Sequence, residues 1–527
     1  MTVVDWIGLA PPLVCAVGVL LLVSIQRLRV VSRFSGVAGI VFLCLSLGTI
    51  ARLWALVRHQ PLSFSIDRWS APAALNVSFR VDLVDVACLV ACFLAAFPIL
   101  ARSEPKERDE PAFCLAFLAL AGALFAINDS ALLAVAWTAI HILTTARLIA
   151  RQRFSEGIKP LAFALFGAPL LLAAAAALSS LPDLSRASPA VTSIAAAALA
   201  VVGAASAGLG PFRQVRAVAN ASPNLDVVND LVLPLVGFDL VLRALTSTSN
   251  TLPAWFAGLL VVIGFSGIVE AADAAHKVAN LADLVRACNR ANFAMAFAAL
   301  ALGSASAISA ALFLVTVSII AQAIALAEPA GWRVHLGLGS VAGFPPLPGF
   351  LGRWAIVGVA LSAGSWPLAV AVAVAIAVTS VGFWRSLARL NLARPVQTEP
   401  DQKQSGAGIL FPVAAIIGAS LAPGQWLIAT VLPAAALSGK VVASPSLAES
   451  LVGLILVILP ILFAASLVRY PEHARRTAGR SRLPHRAARW TIEPAEALAA
   501  FARQIEDRYG LAVGILIAVG TILALVT

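Results

Sequence analysis

Apolar runs of about 18 to 25 residues, parted by short polar segments, recur along almost the whole chain. Each is long enough to cross about 30 Å of hydrocarbon as a helix. The predicted spans begin with Trp6–Ile25, Ser35–Val57, Val84–Ala101, Pro111–Ile127, Ala131–Ala150 and Leu161–Leu178. They continue with Val191–Leu209, Val227–Leu245, Ala254–Ala271, Ala291–Gly303, Ile308–Ala327, Pro367–Leu387, Ile409–Leu437, Leu451–Leu467 and Leu511–Val526. Two stretches break the rhythm. Ser63–Asp82 alternates apolar and polar residues on either side of Ala-Pro-Ala, the pattern of a β-hairpin. Thr491–Arg508 reads as an amphipathic helix lying in the interface. The predicted class is an all-α polytopic membrane protein with roughly 14 to 16 crossings.

The run from Gly339 to Gly358 is apolar but carries Pro345, Pro346, Pro348 and a lone Arg353. Proline donates no backbone hydrogen bond and does not continue a regular helix. In hydrocarbon, broken backbone persists where protein or a water-filled cavity satisfies the freed groups. Discontinuous helices of this kind mark ion paths near the midplane, and a cation beside one is a functional candidate. A bent helix with a snorkelling arginine fits the same letters. The segment is expected to cross outward to about Gly364.

Arginine position sets the orientation. Arg27, Arg29 and Arg33, then Arg147, Arg151, Arg153 and Lys159, then Arg213 and Arg216, then Arg389 and Arg394, fall on alternate loops. These loops are assigned to the cytoplasm, with the hairpin outside. The first run lacks a small-residue cleavage site and reads as a retained helix rather than a signal peptide.

Composition agrees. Of 527 residues 60% are hydrophobic and 12% charged, with a mean hydropathy of +0.93, which excludes an ordinary soluble domain. The net charge of +11 sits in the short loops and points to anionic headgroups rather than nucleic acid. Six cysteines form no CxxC pair, and all but Cys288 lie within apolar runs. No P-loop, GxGxxG or cysteine-rich metal motif is present, so no cofactor is expected.

GFPPLPGFLGRW (Gly343–Trp354) resembles the GIPPLAGFxGK segment of the antiporter-like membrane subunits of respiratory complex I. That superfamily includes membrane subunits of group 4 hydrogenases, cation/proton antiporters and DabB-type inorganic-carbon transporters. WTAIH (Trp137–His141) falls where the family has tryptophan and then an intramembrane glutamate. EGIKPLAFALFG (Glu156–Gly167) is similar to the start of the next family helix, with Lys159 at its usual lysine. GPFRQ…ASPN (Gly210–Asn224) and DLVR (Asp283–Arg286) resemble two further family segments, all five in the family's order. The resemblance covers most of the chain from Ser63 to about Arg394. It implies two inverted five-helix repeats, each with a broken helix, and a central proton relay of lysine, glutamate and histidine. The implied division is 1–110 with the hairpin, 111–290 and 291–405 as the repeats, and 406–527 as a C-terminal part.

The chain departs from the family where the relay stands. His141 occupies the glutamate position, Leu235 beside Pro234 and Gln322 occupy two lysine positions, and Arg353 replaces the terminal lysine. The connection from Ala327 to Gly343 is also shorter than the family's. Leucine and glutamine carry no titratable proton, and arginine keeps its own. The proton path is therefore expected to be altered or lost.

Several polar groups remain as proton-path candidates: His141, Lys159, Asp239, Arg353, Glu270, His276 and Lys277. His141 titrates near neutrality and suits a shuttle, or it is a core histidine bonded to a group such as Thr145. Asp239 is either a substitute acid or the i,i+4 partner of Arg243. Asp226 and Asp230 share a face, as solvated carboxylates or as an entrance. Glu270, Asp273, His276 and Lys277 form a proton entrance or an ordinary helix end. The basic run Arg469–Arg489 faces headgroups or docks an acidic soluble partner.

The expected function is a membrane subunit of a proton- or ion-translocating complex related to NADH-quinone oxidoreductase, without a catalytic centre of its own. The alternatives are a DabB-type partner in inorganic-carbon uptake and a structural anchor in a hydrogenase-like complex. Expected partners are other membrane subunits, a soluble cytoplasmic subunit and the lipid of the inner membrane.

Overall fold

A computed structural model describes residues 6–26, 35–58, 60–66, 77–102, 109–151, 154–179, 189–209, 223–247, 253–278, 280–327, 332–389, 407–422 and 446–469. The loop before Asn224, the basic run, the interfacial helix and the final predicted span lie outside them.

The described residues form sixteen α-helices and one two-stranded sheet. The first group is α1 (Ala10–Gln26), α2 (Ser35–Val57), α3 (Leu83–Arg102), α4 (Glu110–Ala126), α5 (Ser130–Ala150), α6 (Phe154–Ser179), α7 (Pro189–Ser206) and α8 (Pro223–Ser247). The second is α9 (Ala254–Lys277), α10 (Leu281–Leu300), α11 (Ala305–Ala327), α12 (Trp332–Ala342), α13 (Pro348–Ser362), α14 (Trp366–Arg389), α15 (Ala407–Leu421) and α16 (Leu447–Arg469). Among the described residues seven helices are long and apolar enough to cross a membrane. The chain is an all-α polytopic membrane protein.

Strands β1 (Leu62–Ile66) and β2 (Val77–Val81) pair antiparallel, with Phe64 opposite Phe79. Their rings stack at 5.0 Å, the cross-strand aromatic contact that stabilises an isolated hairpin. Asn128 donates its backbone N–H to Ser78 O at 3.0 Å, tying β2 to the α4–α5 turn. At that turn Asp129 caps α5 by accepting from Leu132 N at 2.7 Å. Asp82 caps α3 in the same way, accepting from Val84 N at 2.8 Å. The hairpin end of the bundle is thus fixed by side-chain caps on two helices.

Helix α11 is hydrophobic on all sides, and such a helix packs at the centre. Its membrane-length window is 94% buried, against 28% for α2 and 22% for α16. Large apolar side chains stay exposed on the outer helices, among them Val37, Val41 and Leu45 on α2 and Leu451, Ile455 and Leu459 on α16. Their i,i+4 spacing makes a lipid-facing stripe.

Of the two broken helices that the resemblance implied, one is continuous. Pro234 lies inside α8, which runs uninterrupted from Pro223 to Ser247. The resemblance implied a break there; a lone proline without glycine beside it removes one hydrogen bond, and the helix absorbs the loss. At the second position α12 stops at Ala342, and α13 begins only at Pro348. Gly343 turns the chain at φ +78°, a conformation that disfavours any residue with a Cβ, and two prolines follow.

Candidate functional site

The break exists because its neighbours complete it. Helix α12 ends with carbonyls that have no intrahelical partner, and these carry the negative end of the helix dipole. Arg353, on the second turn of α13, reaches back to them. Its Nη1 donates to Ala342 O at 2.7 Å and its Nη2 to Val341 O at 3.1 Å. Nε and Nη2 both donate to Asn292 Oδ1 on α10, at 3.0 and 2.9 Å. Asn292 Nδ2 in turn donates to Val341 O and to Ser318 Oγ on α11, each at 2.9 Å.

A Cβ at Gly343 would stand 2.7 Å from the guanidinium carbon, so the plane of Arg353 lies against bare backbone. One at Gly349 would stand 1.8 Å from Ser340 O, which is how closely α13 approaches α12. Arg353 is 1% exposed. Among the described residues no carboxylate pairs with it; carbonyl dipoles from two helices, α10 and α12, balance its charge. A planar fork suits this task, and a lysine ammonium could not span the same acceptors.

The second group sits at the hairpin end. Arg243 Nε donates to Asp239 Oδ2 at 2.7 Å, one turn apart on α8. Its Nη2 lies 4.0 Å from Asp85 Oδ1 on α3 and donates to Leu124 O and Phe125 O at 3.2 and 3.0 Å. Its Nη1 donates to Ile127 O. One guanidinium therefore closes the C-terminus of α4 and faces two buried carboxylates. Arg80, Asp82, Asp85, Asn128, Asp239 and Arg243 line a cavity there of about 70 Å³.

His141 is buried on α5, 4.4 Å from the ring of Trp137 and 5.0 Å from that of Phe163, both edge-on. Trp137 Nε1 donates to Ser206 Oγ on α7 at 3.2 Å. The histidine is built into an aromatic core that joins α5 to α6 and α7.

The remaining candidates are dispersed. Lys159 falls on α6, and its side chain lies outside the described residues. Glu270 and His276 are half-buried on α9, while Lys277, at the end of that helix, pairs with Asp273 at 2.5 Å. Asp230 meets Arg286 of α10 at 2.5 Å rather than standing solvated. His141, Asp239 and Arg353 belong to three separate groups on different helices.

Two features were not read from the sequence. Asn292 completes the Arg353 site from 61 positions upstream. Glu110, almost fully buried on α4, accepts from Arg147 at 2.8 Å and from Arg151, bolting α4 to α5. Asn292 opens the apolar run that follows Arg290, and nothing beside it in the sequence marks it as a ligand.

No family model matches the chain, and no curated protein matches its sequence. Solved structures do match its shape. A chain of the Mrp complex from Dietzia sp. DQ12-45-1b superposes with a TM-score of 0.70 at 14% identity, over 86% of this chain and 100% of that one. A chain of the membrane-bound sulfane sulfur reductase, an archaeal respiratory membrane complex, gives 0.71 at 14% identity, over 83% and 98%. A chain of respiratory complex I from Thermus thermophilus gives 0.64 at 19% identity, over 80% and 100%. The chain shares its fold with membrane chains of these three complexes.

At these identities the likeness describes architecture. The shared fold carries the break and its arginine in this chain, and the side chains around them are the chain's own.

Proposed function

We propose that this chain is a membrane subunit of a multi-subunit ion-translocating complex whose proton path is altered. Arg353 carries the reading. It keeps its proton at any ordinary pH, and every acceptor it contacts is a neutral carbonyl oxygen. A relay needs groups that gain and lose protons, and at the break neither Arg353 nor the glutamine and asparagines of the adjoining helices do so. Titratable side chains that remain inside the bundle lie elsewhere, among them His141 on α5, Asp239 on α8, Asp85 on α3 and Glu110 on α4. The second half then serves coupling and assembly, and any proton transfer by this subunit runs through the first. Partner subunits, including a soluble one docked on the basic cytoplasmic loops, complete the complex in the inner membrane.

Affinity purification in mild detergent identifies the partners. Proton flux of the reconstituted complex then tests the path: Arg353→Gln, which removes the charge but keeps an amide donor at the break, is expected to leave flux unchanged with assembly intact. Loss of flux in that variant, with the subunits still copurifying, would overturn the reading. A zinc-binding soluble partner would redirect it to inorganic-carbon uptake.

A further inference from the structure

On the helices joined by the Arg353–Asn292–Ser318 network, three side chains are buried with a polar atom that has no partner among the described residues: Asn289 Oδ1, Gln322 Oε1 and Ser340 Oγ. Their residues are 3%, 1% and 0% exposed. Buried polar atoms in native proteins are nearly always satisfied, and where protein supplies no partner ordered water does.

Helix register brings the three together. Asn292 of α10 bonds Ser318 of α11, and these consecutive helices run antiparallel. Asn289 precedes Asn292 by three residues, and Gln322 follows Ser318 by four. Both steps keep the face and move one turn, roughly 5.4 Å, in the same direction away from Arg353. On α12 a Cβ at Gly337 would stand 2.6 Å from Ala321 O, so that face of α12 lies on α11. Ser340 is one turn further along the same face, at the level of Ser318.

We infer that α10, α11 and α12 enclose a small cluster of ordered water, a blind polar chamber that ends at Arg353. Water fits the atoms: two amide oxygens and a hydroxyl need donors, and a water needs two to four polar partners. The chamber ends at a fixed positive charge, which repels hydronium, so the water solvates the break without passing protons. This inference stands whether or not the complex moves ions.

Hydroxyl-radical footprinting by a brief X-ray pulse tests it in the purified full-length protein. Radicals form from bound water and oxidise side chains beside it. Cys288, one turn before Asn292, is 2% exposed; Cys92 and Cys114 are 1% and 2% exposed in the apolar core. Equal burial makes them matched reporters. Cys288 is expected to be oxidised at least several-fold faster than either, with oxygen-18 incorporated from labelled water. Equal rates at the three cysteines overturn the inference. As a second readout, Gln322→Leu removes the orphan oxygen. In a dry site it would raise the unfolding midpoint; around bound water it is expected to leave the midpoint unchanged or lower it, and to slow Cys288 oxidation.

Discussion

Arg353 gives two hydrogen bonds to a single atom, Asn292 Oδ1, from Nε at 3.0 Å and from Nη2 at 2.9 Å. The asparagine is neutral, so the bond spends no countercharge, and its own amide nitrogen is held by Val341 O and Ser318 Oγ. A fork locked in this way has one geometry. Stiffness at this point joins α10, α11, α12 and α13.

Asn292→Leu is expected to destabilise the chain by about 1.5–3 kcal/mol, the usual contribution of hydrogen bonds to a charged donor. Ser318→Ala, which removes one neutral acceptor, is expected to cost about 1 kcal/mol. Pairing Arg353→Met with Asn292→Leu should cost less than the sum of the two single changes, because the charge leaves together with its amide acceptor, while the Val341 and Ala342 carbonyls stay without donors. Unfolding midpoints in mild detergent order the variants; a Ser318→Ala effect as large as that of Asn292→Leu would contradict this account.

Gly349→Ala tests the approach of α13 to α12. The added Cβ would meet Ser340 O at 1.8 Å, which backbone cannot yield without moving the break. The expected cost is at least about 1–3 kcal/mol, the range for overpacking. Gly364→Ala is the comparison: unlike Gly349 it has a left-handed backbone, at φ +70°, and nothing lies within 4 Å of the added atom. That change should cost only about 1–2 kcal/mol from the backbone. Equal effects on the unfolding midpoint would show that the close approach is not tight.

What could be read from the letters was local. Helical spacing gave the apolar spans, the alternation around Ala-Pro-Ala gave the hairpin strands, and three prolines with Gly343 gave the break. The four-residue step from Asp239 to Arg243 is one a helix makes, and the two side chains do meet. What was hidden was long-range. Arg243 closes α4 through carbonyls 116 to 119 positions away, and a carbonyl leaves no mark in a sequence. Asn292 is likewise invisible as a ligand until α10 and α13 are packed together. At Pro234 the apolar pattern of Val227–Leu245 gave the span, whereas the resemblance implied a broken helix and the helix carries on through the proline.

Arg243 and Asp239 are not equivalent members of their pair. Asp239→Asn leaves the guanidinium facing Asp85 and three carbonyls. Arg243→Gln leaves two buried carboxylates with no cation between them and uncaps α4. Breaking a buried pair costs about 3–5 kcal/mol, and the arginine variant is expected at or beyond that range, the aspartate variant below it. Double-mutant analysis of unfolding in detergent should return a coupling well above the few tenths expected of independent sites. Equal penalties for the two single changes would mean that Asp85 takes no part.

His141→Phe separates packing from titration at the remaining first-half candidate. The side chain meets Trp137 and Phe163 edge-on, and a phenyl ring can keep both contacts. A swap of similar volume in a packed core usually costs less than about 1.5 kcal/mol, so assembly and unfolding midpoint should stay near wild type. The ring, however, carries no exchangeable proton. If proton transfer runs through the first half, flux of the reconstituted complex falls several-fold while the subunits still copurify. His141→Ala would lower flux as well, but it opens a hole beside Trp137, so a fall there mixes both causes. Undiminished flux in His141→Phe would remove the histidine from the path and leave this subunit to coupling and assembly alone.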